Sequence, residues 1–461
     1  MKFYGREQEI EALRWQFQRA QETKVARMAV VTGRRRIGKT TLIRKAFEAS
    51  VFPFIYYFVT SSSNEEEMAQ LLVAQASRCL DIKYPPAITK VADAIGWLLE
   101  MSHSKPLVFV LDECQQLDSW PNFWSELQRT WDLGKSGAQA LFVLSGSVQT
   151  AIERIFGNSS EPLFGRNDQM MIVRPFSTSL VGKIFEDCSP SGIVPSDLLL
   201  FYAITGGVAR YVELLVDAEA TTQEKLLTFL FSERGTTLQK EGDTLLANEF
   251  RLSAPLYRTI LRRLAAGRSK RTELQAGVAT DISPYLARLE NLYGLVGRVQ
   301  PFEEPSEKRK TRYRVTDPYL RFWLRFLSGD DIEAQIELQQ WPGLIQRTTQ
   351  ALPTYLGRSL EDWYRQRFLE LSGLSPVGAW WDRRGENEID LIALDENRKR
   401  IVFAEIKSQT SKLDEVKLRR KSEAFFDVHR DYRSWKQVFL GLTPHQMLDT
   451  PLGSLRKEHS S

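Results

Sequence analysis

Cysteine and histidine are scarce in this chain of 461 residues: Cys79, Cys114 and Cys188, with His103, His429, His445 and His459, show no CxxC or HxxxH spacing. A structural zinc site and a disulfide framework are thereby excluded, and a reducing compartment is expected. Long apolar runs are also missing. Nothing approaches the roughly 18 to 20 apolar residues that cross a bilayer, and the opening MKFYGREQEI lacks the apolar centre of a signal peptide. The expectation is a soluble, cytoplasmic protein without a membrane partner. Charge of one sign is lacking too, since 62 Lys plus Arg stand against 58 Asp plus Glu for a net +4. That is too little to make the whole chain a nucleic-acid-binding polyelectrolyte, so any basic surface must be local. What is present is 43% hydrophobic residues, enough for packed cores, in a length that suggests about three domains.

The pattern of apolar runs divides the chain further. Met28 to Thr32, Phe54 to Thr60, Leu107 to Leu111 and Leu141 to Leu144 are short, near-continuous runs separated by amphipathic stretches. Strands of that kind are buried on both faces, which predicts a parallel sheet covered by helices over residues 1–180. Helical periodicity takes over in 181–245 and predicts a small helical lid. Residues 251–320 read as helix, short helix, helix and a two-stranded tail, the order of a winged helix, within a domain placed at 246–325. An aromatic and Gln-rich connector opens the last domain, 326–461. There the helix SLEDWYRQRFLEL and the strands VGAWW, EIDLIAL and IVFAEI precede further helices, and the last ten residues read as a loose tail. No internal repeat or low-complexity tract appears.

Directly after the strand MAVVT, Gly33-Arg34-Arg35-Arg36-Ile37-Gly38-Lys39-Thr40 fits GxxxxGK(S/T) and runs through Thr41 into the helix TLIRKAFEA. Its glycines let backbone N–H groups wrap phosphates at a helix N-terminus. Lys39 reaches the β and γ phosphates, and the Thr40 hydroxyl ligates Mg²⁺. The strand Leu107 to Leu111 ends in Asp112-Glu113, where one carboxylate can hold Mg²⁺ and the other can polarise a water. The strand Leu141 to Leu144 ends in Ser145-Gly146-Ser147, which reads equally as polar groups near the γ-phosphate or as a plain strand-to-loop turn.

These motifs, together with Phe3-Tyr4-Gly5-Arg6-Glu7, FVLDE, Pro162-Leu163-Phe164-Gly165-Arg166 and Thr205-Gly206-Gly207, resemble the archaeal-type P-loop ATPase family of the AAA/STAND group over roughly residues 1–235. The resemblance implies an additional-strand P-loop fold that binds ATP and Mg²⁺, with Glu113 as catalytic glutamate. It also implies Ser147 as a sensor and Arg166 as an arginine finger, which predicts a homo-oligomer if Arg166 reaches across an interface. Where relatives follow the glycine pair with Val-Pro-x-Tyr, this chain has Val208-Ala209-Arg210-Tyr211. Arg210 reads equally as a γ-phosphate sensor or a surface arginine.

Residues 251–320 carry 14 basic and 7 acidic side chains, a local +7 that leaves −3 for the rest of the chain. Arg262, Arg263, Arg268, Lys270 and Arg271 cluster near the first turn, and Lys308, Arg309, Lys310, Arg312 and Arg314 lie on the wing. Placed this way they can neutralise DNA phosphates, giving salt-dependent affinity without sequence readout. The recognition helix, Ile282 to Leu292, offers only Arg288, Asn291 and Tyr285 to base edges. The alternative is a solvated loop on a packing module.

In the last domain Glu361 lies on a helix, Asp390 opens one strand, and Glu405 and Lys407 close another, sharing a face at i and i+2 while Ile406 faces the core. A hairpin turning at Asp395-Glu396-Asn397 would bring Asp390 beside Glu405. Carboxylates on neighbouring strands can bind a second Mg²⁺ or Mn²⁺, and a lysine can help activate a water against a phosphodiester. A following helix carries Lys412, Lys417, Arg419, Arg420 and Lys421. Over about residues 350–425 this pattern resembles the PD-(D/E)xK nuclease superfamily, implying a restriction-endonuclease-like α/β domain with Glu361, Asp390 and Glu405 as metal ligands. It also resembles the uncharacterised domain that commonly follows this ATPase type. The plain alternative is a surface Glu–Lys pair with an unrelated Asp. Together these readings give an ATPase that couples nucleotide state to DNA binding and cleavage, or else a nucleotide switch or DNA-binding regulator whose C-terminal domain docks an unknown protein partner.

Overall fold

A computed structural model describes all residues except 61–63, 148, 190–191, 251, 253, 304–309, 372 and 449–461. Lys308, Arg309 and the expected loose tail therefore lie outside the described residues. The chain forms two compact units, Gly5–Arg174 on one side and Met1–Tyr4 with Pro175–Ser461 on the other.

The first unit runs α1 (Glu7–Thr23), β1 (Arg27–Thr32), α2 (Lys39–Phe47), β2 (Phe54–Phe58), α3 (Glu65–Leu80), α4 (Val91–Met101), β3 (Leu107–Asp112), α5 (Phe123–Gly134), β4 (Ala140–Gly146), α6 (Gln149–Gly157) and β5 (Gln169–Ile172). Its five strands are all parallel in the order β2-β3-β4-β1-β5. β4 stands between the strand before the phosphate-loop motif and the strand ending in Asp112, which is the additional-strand arrangement. β3 and β4 are buried along their whole length, as expected of strands covered on both faces. Phe109 and Phe142 stack across them at 4.4 Å between centroids. The edge strand β5 is short and only partly buried, although Met170, Met171 and Ile172 give it an apolar run.

The second unit begins with five helices, α7 (Thr178–Asp187), α8 (Pro195–Thr205), α9 (Ala209–Asp217), α10 (Gln223–Leu230) and α11 (Thr236–Thr244). Between α8 and α9, Gly207 has φ +72°, and a Cβ there would meet the Phe176 carbonyl oxygen at 2.5 Å, so the second glycine of the pair is required sterically. Next come α12 (Pro255–Ala265), α13 (Arg271–Gln275), α14 (Ser283–Asn291) and the antiparallel pair β6 (Val296–Val299) and β7 (Arg312–Val315). α15 (Pro318–Phe326) and α16 (Asp330–Glu337) lead to α17 (Trp341–Leu369). The aromatic and Gln-rich connector is thus largely helical. α17 runs 29 residues and continues through Pro353, which a sequence reading takes as a stop because proline lacks an N–H.

The remainder is β8 (Val377–Trp381), β9 (Glu388–Asp395), β10 (Arg400–Ile406), α18 (Glu415–Val428) and β11 (Lys436–Leu442). The sheet order is β11-β10-β9-β8, antiparallel except for β10 and β11. β11 corrects the expectation of helices only after IVFAEI. Its two leading residues, Lys436 and Gln437, are exposed and polar, and the apolar run Val438-Phe439-Leu440 follows them. Phe302, Trp380, Phe403 and Phe425 form the centre of this domain's core.

Candidate nucleotide site and C-terminal carboxylate–lysine cluster

β1 delivers the chain into the phosphate-loop motif at Gly33, whose φ is +149° and whose Cβ would lie 2.4 Å from the Val173 carbonyl oxygen. Arg36 (φ 66°) and Gly38 (φ 94°) also take positive φ, turning the loop before α2 starts at Lys39. Ile37 is buried beneath the loop, Arg35 is exposed, and Thr40 and Thr41 are solvent-accessible. The Lys39 ammonium is buried and donates to the carbonyls of Gly33 (2.9 Å) and Arg34 (3.3 Å). The sheet register then brings the other groups in. The Thr40 hydroxyl donates to Asp112 Oδ2 at 2.8 Å, and the Glu113 backbone N–H donates to Asp112 Oδ1 at 3.0 Å. These hard oxygens fit Mg²⁺, and Lys39 with the first turn of α2 fits a polyphosphate.

Glu113 adopts φ 57°, and its Oε2 accepts from the Ser147 hydroxyl at 2.8 Å and from the Gln115 side-chain amide. Ser147 is therefore placed against Glu113. Gly146 is constrained, since a Cβ there would stand 2.5 Å from Gln115 Oε1. Two participants went unnoticed in the sequence, Gln115 and Tyr56. The Tyr56 hydroxyl donates to Asp112 Oδ2 and lies 3.3 Å from Thr40 Oγ1; burial, and then this bond to Asp112, push the phenol's pKa up. FPFIYYF reads only as a strand, and no spacing rule links it to an aspartate 56 residues away.

In the second unit Lys407 Nζ lies 2.9 Å from Asp390 Oδ2 and 3.7 Å from Glu405 Oε1. The Ile406 N–H donates to the same Asp390 oxygen at 2.8 Å. The hairpin between β9 and β10 turns at Glu396–Arg398 and creates this convergence. Glu405 is further engaged by Lys421 at 3.4 Å and by the Asp414 N–H at 3.0 Å. Glu361 is accessible to solvent yet enclosed by surrounding protein. That enclosure, followed by the charges of Asp390, Asp362 and Glu388, raises its carboxyl to about 7. The expected three-carboxylate ligand set is not gathered: among the described residues no group of three His, Cys, Asp or Glu side chains stands ready to hold a metal. The reason is local. Lysine ammoniums occupy the space between the carboxylates and neutralise them, so this cluster does not fit a second metal as it stands.

Residues 3–215 match the model of an ATPase domain predominantly from Archaea. The N-terminal part of the chain is thus similar to archaeal P-loop ATPase domains. Residues 323–420 match a second model, described as archaeal and bacterial proteins of unknown function. Across nearly the whole length the chain is similar to an uncharacterized protein of Methanocaldococcus jannaschii, 26% identical over 458 residues, 95% of this chain and 93% of the relative. The fold is also similar to that of a Walker-type ATPase of Pyrococcus abyssi, with a TM-score of 0.51 and 17% identity over 70% of this chain and 96% of the other. No helix among the described residues is long and apolar enough to cross a membrane.

Within the first unit Arg166 is fixed by a forked ion pair with Asp132, at 3.1 Å from Nε and 3.0 Å from Nη2 to the same oxygen. Arg210, in the second unit, pairs with Glu213. The basic segment is largely neutralised as well. Arg312 pairs with Glu388 and lies over Trp381 at 4.1 Å, Arg314 pairs with Asp362, Arg262 with Glu333, and Arg271 with Asp281. Arg263 donates to the Leu274 carbonyl, and the Lys310 carbonyl accepts from Trp381. The local +7 misleads because Glu333, Asp362 and Glu388 come from outside the segment that was counted. On α14, Tyr285 packs against Tyr257 at 5.1 Å. Arg268 and Lys270 remain exposed, as do Lys412, Lys417, Arg419 and Arg420 around α18.

Another exposed basic pair was overlooked. Arg383 and Arg384 sit on the turn between β8 and β9, which the Asp382 carboxylate locks by accepting from the N–H groups of Gly385 (2.5 Å), Glu386 (3.0 Å) and Asn387 (3.0 Å). That turn lies at the same end of the sheet as Asp390, Glu405 and Lys407.

Proposed function

We propose that the chain is a Mg²⁺-dependent ATPase whose nucleotide state governs how its second unit engages DNA. The carrying observation is the meeting of Thr40, Asp112, Glu113 and Ser147 at one end of the parallel sheet beside a phosphate-loop lysine. On ATP binding, Lys39 would exchange its contacts with the Gly33 and Arg34 carbonyls for phosphate oxygens, a charge-assisted contact that is stronger. Thr40 and Asp112 would hold Mg²⁺, which would supply neutralisation of the phosphate charge. Glu113, positioned by Ser147 and Gln115, accepts the proton of the attacking water. Lys39→Ala tests this directly: nucleotide binding and hydrolysis are expected to disappear, and persistent hydrolysis sinks the assignment. As an arginine finger Arg166 must leave Asp132 and act in a homo-oligomer. Mixing Lys39→Ala with Arg166→Ala subunits should then restore part of the activity.

For the second unit, Arg268, Lys270, Arg383 and Arg384 are the exposed groups best suited to backbone phosphates, because most of the wing arginines are spent on internal pairs. A second reading, a nuclease-like active site, rests on the convergence of Asp390, Glu405 and Lys407 on adjoining strands and requires a divalent metal to displace Lys407 from the two carboxylates. Plasmid incubated with Mg²⁺ or Mn²⁺, with and without ATP, separates the two. Nicking that Asp390→Ala removes supports the nuclease; DNA retention without nicking supports a regulator, and neither result disturbs the ATPase assignment.

A further inference from the structure

We infer that Tyr56 is a positioning residue of the Mg²⁺ centre, acting through Asp112; the inference rests on the nucleotide-site reading above. Tyr56 lies on β2, at the edge of the sheet, two strand positions before Phe58, the residue paired with Asp112. Its hydroxyl donates to Asp112 Oδ2, the oxygen that also accepts from Thr40. With the Glu113 N–H on Oδ1, both oxygens of the carboxylate are pinned. A carboxylate that serves a metal gains affinity when outer donors fix its orientation, and loss of such a donor typically costs about 10- to 100-fold in metal affinity.

The tyrosine is itself held from several sides. Its backbone carbonyl accepts from the Gln75 side chain on α3, the Arg44 guanidinium of α2 lies over its ring at 4.9 Å, and Phe54 stacks beside it at 6.4 Å. The hydroxyl therefore reaches Asp112 from a fixed platform. Removing only that oxygen leaves the ring packing in place, so Tyr56→Phe isolates the bond.

The experiment titrates Mg²⁺ into wild type and Tyr56→Phe in the presence of a fluorescent ATP analogue, and repeats the binding in EDTA. Thermal unfolding of both proteins serves as the check on folding. The expected result is unchanged analogue affinity in EDTA with a Mg²⁺ half-saturation raised about tenfold. An unchanged half-saturation overturns the role of Tyr56 while leaving the nucleotide site intact. A lowered one also overturns it, since the hydroxyl would then compete with the metal. If wild type itself gains nothing from Mg²⁺, the nucleotide-site reading falls, and this inference falls with it.

Discussion

Lysines mark both units, and they are spent differently. Lys39 is held by the neutral carbonyls of Gly33 and Arg34, while the carboxylates of its site bond to hydroxyls and amides from Thr40, Tyr56, Ser147 and Gln115. Lys407 and Lys421 instead lie directly on Asp390 and Glu405. A carbonyl-bound ammonium exchanges readily for phosphate, and a hydroxyl-bound carboxylate for a hydrated metal. A cluster of paired charges must first break its own pairs. The first site is thus prepared for a polyanion with its cation, whereas the second is already neutralised.

The largest test of this contrast is Lys39→Ala, expected to abolish nucleotide binding, as a direct binding measurement would show. Glu113→Gln should keep binding and lower kcat by about 10²- to 10⁴-fold, the range for loss of a general base. A smaller effect is expected from Lys407→Met, which strips Asp390 and Glu405 of a shared partner. Denaturant unfolding should show a loss of about 1–3 kcal/mol, the range for one lost hydrogen bond to a charged group, since Asp390 keeps the Ile406 N–H and Glu405 keeps Lys421 and the Asp414 N–H, with ATPase activity unchanged. A Lys407→Met protein as stable as wild type would show that the pairing is incidental and the clusters less different than they look.

Legibility followed the same divide. The phosphate loop, Asp112-Glu113 and Ser147 are readable because their chemistry depends on short spacings next to buried strands. Asp390, Glu405 and Lys407 are readable as members of one cluster for a similar reason, since strand alternation and one hairpin bring them together. Tyr56 is not, because a partner 56 residues away leaves no periodic signal, and Gln115 is not, because a glutamine two residues after a glutamate makes no motif; β5 and β11 do carry short apolar runs, at 170–172 and 438–440, and are readable as strands on that ground. The basic segment 251–320 is legible in composition and misleading in energetics. Arg312 and Arg314 find their acids on β9 and α17, which no local charge tally can include.

The smallest expected effect concerns DNA, and it asks whether any part of the second unit resembles the first in holding cations ready for phosphate. Arg383 and Arg384 come nearest. Both are exposed, neither makes an ion pair among the described residues, and the turn that carries them is fixed by Asp382, so little ordering is needed on contact. Each phosphate contact contributes about 0.9 to the slope of log affinity against log salt for duplex DNA. The double change Arg383→Gln with Arg384→Gln should therefore lower that slope by about 1 to 2, with Lys225→Gln on α10 as the control. Asp382→Ala, which keeps both charges but loosens the turn, should weaken binding less and leave the slope nearly intact. If the double variant keeps the wild-type slope, the phosphates are met elsewhere, and Arg268 and Lys270 become the arginine and lysine to change next.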